Sequence, residues 1–316
     1  MKKVMLKKSI ESLLLFILIL FICDRLIGYK LHDIYFKQKK GDFYQTTYAL
    51  KNAKEDVLIL GSSRALHHYV SSIFQNYINM STYNLGRDGR NISYAYTVFS
   101  QVLTYHHPRV IILDMQPDEF SLSDGKESDN SMVYALLPYA NYPLIKKSIA
   151  KENTSDLILS KIFWTYPYNS MAVQLVGNYY NLLPGEKDIQ GFEPLKGSKI
   201  TKADILRDKG KLKKKPIDPA LINTFQDFLK LAKKNNIELY VVISPTANLS
   251  PYNSIAEIKK LTQQSGFKFY DYSTTINDYS LFYDDTHLNI KGATLFTDAL
   301  ASELKKNFPN KLASIQ

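Results

Sequence analysis

Ser62 and Ser63 follow directly on the run Val57-Leu58-Ile59-Leu60-Gly61 and precede Arg64. Two small hydroxyls and a guanidinium thus stand where a buried strand has just ended. A serine attacks a carbonyl carbon only when a base takes its proton, and the base, usually histidine, must itself be held by a third group. Near the other end of the chain stands Asp284-Asp285-Thr286-His287. Asp284 and His287, three apart and just ahead of a helical pattern, suit one short loop that presents both side chains to one point, whereas Asp285 projects the other way. A developing oxyanion also needs N–H donors, and Asn84-Leu85-Gly86-Arg87-Asp88-Gly89-Arg90 offers glycines whose amides can approach a substrate closely. Each piece alone has another reading. Gly-Ser-Ser after a strand suits a helix N-cap, Asp-x-x-His is common, and a glycine loop is also a turn or an anion site. Their order along the chain, each at a strand end or before the last helix, favours acyl chemistry with one of the two serines as nucleophile.

Alternating strands and helices must position these groups. Short apolar runs predict strands at Val57–Leu60, Thr82–Leu85, Val110–Leu113, Leu239–Ile243 and Phe267–Tyr270. Helical spacing joins Ala95, Val98, Phe99, Val102 and Leu103, then Leu221, Phe225, Phe228, Leu229 and Ala232, and finally Ala293, Phe296, Leu300 and Leu304. Asp218-Pro219 suits the N-cap and first turn of the second of these. The alternation predicts a parallel sheet covered on both faces, with the ligand site at the carboxyl ends of its strands, where Gly61 to Arg64 falls. From about Ser121 to Lys215 the rhythm breaks into an aromatic-rich insertion containing Tyr134, Tyr139, Trp164, Tyr168 and Tyr180. It is expected to fold over the strand ends, its aromatics either stacking on sugar rings or forming a small core of their own. The Lys-rich segment Arg207 to Pro216 reads as a solvated linker.

A content of 45% hydrophobic residues describes a globular chain with a sizeable core, and one cysteine excludes an internal disulfide framework and cysteine metal sites. The net charge of +10 suits an anionic partner, but the lysines are scattered and no nucleic-acid motif accompanies them. Lys2, Lys3, Lys7 and Lys8 precede the apolar run Leu13 to Cys23, which Asp24 and Arg25 end. With Ile10, Leu26 and Ile27 this segment approaches the roughly 20 residues that span a bilayer. No small-x-small cleavage site follows, and bulky Ile22 precedes Cys23 where a lipoprotein box needs a small residue. Residues 1–30 are therefore expected to be a cytoplasmic stub and uncleaved signal-anchor helix, and residues 31–316 an exported domain carrying the insertion at about 121–215.

The blocks Leu-Ile-Leu-Gly61-Ser62-Ser63-Arg64, Asn84-x-Gly86-x-x-Gly89 and Asp284-x-x-His287 resemble those of the SGNH/GDSL hydrolases, with Ser62 in place of the usual Asp. The resemblance covers roughly residues 55–120 and 236–306. It implies a three-layer α/β sandwich of flavodoxin type with a central parallel sheet, here preceded by one N-terminal transmembrane helix. It also implies Ser63 as nucleophile, His287 as base and then acid, Asp284 as its orienting group, and the Ser63 and Gly89 amides as oxyanion donors. Asp118 falls where the family has an oxyanion asparagine, and there an ionised carboxylate would repel the developing charge. Arg64, Asn84 and Trp164 are the candidates for substrate binding. The anchor and the Gly-Ser-Ser-Arg block look most like exported branches of the family, including the teichoic-acid D-alanylation D proteins and polysaccharide O-acetylation proteins. The implied activity is a membrane-bound serine esterase or O-acyltransferase acting outside the cytoplasm on acyl, chiefly acetyl, esters of a cell-surface glycan or anionic polymer. A transferase would add a membrane acyl-donor protein as partner. No metal, organic cofactor or nucleic acid is implied. The alternative is a noncatalytic glycan-binding or scaffold protein that keeps the fold, which Asp118 and the aromatic insertion would suit.

Overall fold

The structure is a computed structural model that describes residues 2–122, 131–182, 190–200, 216–247 and 254–307; the Lys-rich stretch 207–215 lies outside them. The chain divides into two compact units, one formed by residues 45–132 and 186–316 and the other by residues 1–44 and 133–185. Its helices among the described residues are α1 (Lys2–Phe36), α2 (Gly41–Lys51), α3 (Ser63–His68), α4 (Ser71–Ile78), α5 (Ile92–Val102), α6 (Ser131–Leu136), α7 (Pro143–Glu152), α8 (Thr154–Ile162), α9 (Ala172–Tyr179), α10 (Pro219–Lys234), α11 (Ile255–Gln264) and α12 (Ile290–Asn307).

The larger unit is built on five parallel strands, β1 (Val57–Leu60), β2 (Thr82–Asn84), β3 (Val110–Asp114), β4 (Glu238–Ile243) and β5 (Lys268–Asp271), in the order β2-β1-β3-β4-β5. All five expected strands are present, their ends shifted by no more than one residue. Every residue of β1 and β3 is buried, as continuous apolar runs in a sheet covered on both faces require. On one face Val57, Ile59, Val110, Ile112, Tyr240 and Val242 share a core with Ala65, Tyr69 and Phe74 from α3, α4 and the link between them, and with Phe296, Leu300 and Leu304 of α12. The alternate residues Leu58, Leu60, Ile111 and Leu113 are equally buried and, by the two-residue period of a strand, point the other way. α5 and α10 pack on each other through Phe99 and Phe228, ring centres 4.9 Å apart. Asp218 caps α10 as expected, accepting from the Ala220 amide at 2.8 Å.

The order of the strands reverses between β1 and β3, the switch point at which such sheets open a crevice. Gly61 leaves β1 there with φ 149°, and a Cβ would lie 2.6 Å from the Asp114 carbonyl oxygen. Gly86, after β2, passes so close to α3 that a Cβ would lie 2.4 Å from the Leu66 amide nitrogen. These approaches bring the loop after β2 against the first turns of α3.

In the smaller unit α1 packs with the helices of residues 133–185. Tyr139 and Tyr168, from the aromatic insertion, are buried against Tyr35, with ring centres 5.8 and 5.7 Å from it. These aromatics therefore form the unit's own core. Asp24 accepts from the backbone of Trp164 (2.9 Å) and Thr165 (3.1 Å) and from the Thr165 hydroxyl (2.7 Å), and Arg25 donates to the Ile162 carbonyl. N-terminal to this junction, every residue from Leu13 to Ile22 is 47–60% exposed, on all sides of the helix. The expected spanning segment is not found: among the described residues no helix is long and apolar enough to cross a membrane. The physical reason is that the uninterrupted run Leu13–Cys23 rises only about 16 Å before Asp24 and Arg25, roughly half of a hydrocarbon core.

The backbone approach at Gly86 leaves no room for a methyl group. Gly86→Ala should destabilise the larger unit by about 1–3 kcal/mol, as overpacking does, shifting its urea midpoint downward.

Candidate active site

The two adjacent serines divide the two roles that their sequence left open. Ser62 is the N-cap of α3, its hydroxyl accepting from the Arg64 amide at 3.3 Å. Ser63 is the first helical residue, and its Oγ lies 2.8 Å from His287 Nε2. His287 Nδ1 in turn lies 2.9 and 3.0 Å from the two Asp284 oxygens. A carboxylate only accepts, so Nδ1 carries the hydrogen and Nε2 presents its lone pair to the Ser63 hydroxyl. Asp284 also accepts from the Thr286 and His287 amides at 3.0 and 2.8 Å. Partial burial opposes its ionisation, but the bonds from His287 and these amides prevail and hold its carboxyl well below the usual range. The structure thus brings the three predicted residues into one hydrogen-bonded line.

Among the described residues, two backbone amides near this line in the chain carry no hydrogen bond. As the first residue of a helix, Ser63 has an N–H without an intrahelical acceptor, and neither it nor the Gly89 N–H has a partner among the described residues. Gly89 is exposed, and nothing stands within 4 Å of where its Cβ would be. Asn84, read from sequence as a substrate contact, is fully buried instead. Its side chain donates to the Ala65 and Tyr69 carbonyls (2.6 and 3.0 Å) and accepts from the Gly86 amide (2.9 Å), fastening the Gly86–Gly89 loop to α3. Arg64 is corrected likewise: it is 3% exposed, donates to the Ser244 carbonyl and hydroxyl, and lies 3.8 Å from Asp114. Trp164 belongs to the smaller unit, with its ring beneath Arg25 (4.9 Å) and its Cβ against Gly28, where it packs on α1. Asp118 sits half-buried in the turn after β3, its carbonyl accepting from Ser121.

Beneath the line lies a polar network that sequence reasoning missed. His68 Nε2 accepts from the Leu288 amide at 2.9 Å, so its hydrogen is on Nδ1, which donates to Ser244 Oγ at 2.9 Å. Burial, together with the nearby positive charge of Arg64, holds this imidazole neutral, its pKa well below the ordinary value. Asp114, at the end of β3, accepts from the Tyr69 hydroxyl (2.5 Å) and the Ser244 amide (3.1 Å). Glu119, rather than Asp118, ties the turn after β3 to α5, accepting from the Ile92 amide at 2.6 Å and the Gln116 amide at 3.0 Å. No local spacing distinguishes these residues; only their positions just beyond predicted strand ends could have marked them.

A family model described as a protein of unknown function, DUF1574, matches residues 12–300. No curated protein matches the chain. Similar solved structures include a candidate acylhydrolase from Bacteroides fragilis, at 12% identity over 83% of this chain and 94% of that one, with a TM-score of 0.39. Another is an active-site mutant of a family two carbohydrate esterase from Clostridium thermocellum in complex with celluohexase, at 10% identity over 80% and 63% of the two chains, TM-score 0.36. A third is an acetyl xylan esterase from Butyrivibrio proteoclasticus, at 10% identity over 80% and 64%, TM-score 0.35.

Burial pushes the Glu119 carboxyl up to about 7, against the pull of the Gln116 and Ile92 amides. Between the ordinary glutamate value and that point the folded chain holds a proton that the unfolded chain has lost, so stability falls as pH rises through this window and levels off above it. Relative to Glu119→Gln, the wild-type unfolding free energy should drop by about 2–3 kcal/mol between pH 5 and pH 8. Paired urea titrations at the two pH values measure it, and a constant difference would place the Glu119 pKa in the ordinary range.

Proposed function

The chain belongs to the DUF1574 family of proteins of unknown function, and from the Ser63–His287–Asp284 line we propose that it is a serine-dependent esterase or O-acyltransferase of SGNH type. The observation that carries this reading is the 2.8 Å contact between Ser63 Oγ and a histidine whose far nitrogen is already committed to a carboxylate. That arrangement activates a hydroxyl.

In this reading Ser63 Oγ bonds to the ester carbonyl carbon as its proton passes to His287 Nε2. The carbonyl electron pair moves onto oxygen, which the Ser63 and Gly89 amides stabilise. Collapse breaks the bond to the alkoxy group, which leaves with the proton from His287, and an acyl group remains on Ser63. A second hydroxyl, from water or from a glycan, then gives its proton to His287 and attacks the acyl carbon, and the serine is released when the proton returns to it. Ionised Asp284 holds Nδ1–H in place and stabilises the imidazolium in both halves. We assign the acyl groups of a cell-surface glycan as substrate class, by the sequence resemblance and the net charge of +10, which suits an anionic polymer.

We further propose that α1 attaches the chain to a membrane. A helix that exposes apolar side chains on every face demands an apolar surrounding, and the lysines at its start suit the anionic headgroups of a membrane surface.

Two measurements test these readings. A fluorophosphonate probe should label the wild type, fail completely on Ser63→Ala, and still label Ser62→Ala, whose loss is only a cap worth about 1 kcal/mol; labelling of Ser63→Ala would refute the nucleophile. Replacing Leu14 and Leu18 by Glu should move the protein from the membrane fraction to the soluble one, and an unchanged distribution would remove α1 as the attachment.

A further inference from the structure

α3 carries a second histidine to the site. His67 lies one helical turn beyond Ser63, is 5% exposed, and meets the His287 ring edge-on at a centre distance of 5.5 Å. Its Nδ1 is 2.7 Å from the Glu193 carbonyl oxygen, and its Nε2 is 3.4 Å from Asp88 Oδ1. Both neighbours are acceptors. A neutral imidazole can donate to only one of them, whereas an imidazolium satisfies both. Asp88 immediately precedes Gly89, and His67 is on the helix whose first residue is Ser63. The ion pair therefore joins the two chain segments that present the unpaired amides.

We propose that the His67–Asp88 pair is a clamp that positions the Gly89 amide against Ser63, so that stabilisation of an oxyanion depends on the protonation of His67. The proposal rests on the esterase reading of the site and gives it a regulating group. Elsewhere the loop has fixed ends. The Arg87 amide donates to the Gly61 carbonyl at 3.2 Å, Glu119 holds Ile92, and Gln116 donates to the Arg90 carbonyl at 3.3 Å. Asp88, the neighbour of Gly89, is tied to α3 through His67.

The titratable and charged groups facing the pair are Glu193 and His287 around His67, and Arg87 and His287 around Asp88, with His68 buried beside them as a neutral ring. Burial works against a charged His67, but Asp88 and the Glu193 carbonyl outweigh it and raise its pKa above the ordinary value, while Asp88 is held below its own. The clamp is consequently closed below the raised His67 pKa and is lost as pH rises through it.

The full chain in detergent, with 4-methylumbelliferyl acetate as substrate, tests this. Wild-type kcat should fall as pH rises through the His67 titration with KM little changed, because an oxyanion donor acts in the transition state. Asp88→Asn should lower kcat about tenfold and abolish that limb, and Asp88→Glu should recover part of both. In protein labelled with 15N-glycine, the Gly89 amide shift should titrate with the same midpoint as the His67 ring and become flat in Asp88→Asn. A wild type without ester turnover would remove the esterase reading, and the Gly89 titration would then decide the clamp alone. A Gly89 resonance indifferent to His67, or one that titrates unchanged in Asp88→Asn, overturns the proposal.

Discussion

The 2.8 Å contact between Ser63 and His287 joins residues 224 positions apart, and most of the larger unit can be understood as what holds its two ends. The serine end is set by β1, by the tight exit at Gly61 and by the Ser62 cap. The histidine end is a short loop with no strand of its own, and hydrogen bonds from several directions supply its rigidity. The Tyr283 amide donates to the His287 carbonyl at 2.8 Å, the Leu288 amide to His68 at 2.9 Å, and the Ala247 amide and Thr246 hydroxyl to the Asp285 carbonyl at 3.1 and 3.0 Å. Asp285 is therefore anchored through its backbone beyond the end of β4, which leaves Asp284 to turn its carboxylate to the imidazole.

His68 links the two ends directly, since it follows Ser63 on α3 and receives the amide next to His287. Its bond to Ser244 draws in Arg64 and Asp114, both almost wholly buried. A buried ion pair adds little net stability because both charges must leave water, so these groups are better understood as fixing one arrangement of the strand ends. Replacing them with apolar side chains of equal volume would keep a core while releasing the α3–β4–loop register. The 3.8 Å separation of Arg64 Nε and Asp114 fits this view, because the shorter bonds of both side chains go to the Ser244 backbone and the Tyr69 hydroxyl.

The strands were legible in the sequence because a buried parallel strand is a continuous apolar run, and Val57–Leu60 and Val110–Leu113 are such runs. Ser63, Asp284 and His287 were legible because local spacing and position at an element's end already constrain a side chain's direction. Arg64 and Asn84 defy such a reading for the opposite reason: a polar residue beside a candidate catalytic block has the same local signature whether it faces a substrate or the interior, and only the packing of α3 against the strand ends turns both inward. His67, His68, Ser244 and Glu119 depend on partners from other segments, so nothing in their own neighbourhoods marks them. The insertion's aromatics divide between the two meanings only once Tyr35 and Phe36 of α1 are seen against Tyr139. The end of the apolar run at Asp24 is explained by its bonds to Trp164 and Thr165.

The side chains of His287 and Asp284 are 21% and 36% exposed, so the proposed catalytic line stands partly open to water. Interactions of ionised groups weaken in water and strengthen when solvent is excluded. A small ester would leave Asp284 wet and the imidazolium only partly stabilised, whereas a polymer lying across the strand ends would dry both. The same cover would decide the fate of an acyl group on Ser63. If water is displaced and a sugar hydroxyl remains near His287 Nε2, the proton transfer that activates water activates the hydroxyl instead. On the proposed reading, hydrolysis and transfer would differ in what covers the serine, with the charged groups unchanged, and a substrate's size would govern rate and outcome together.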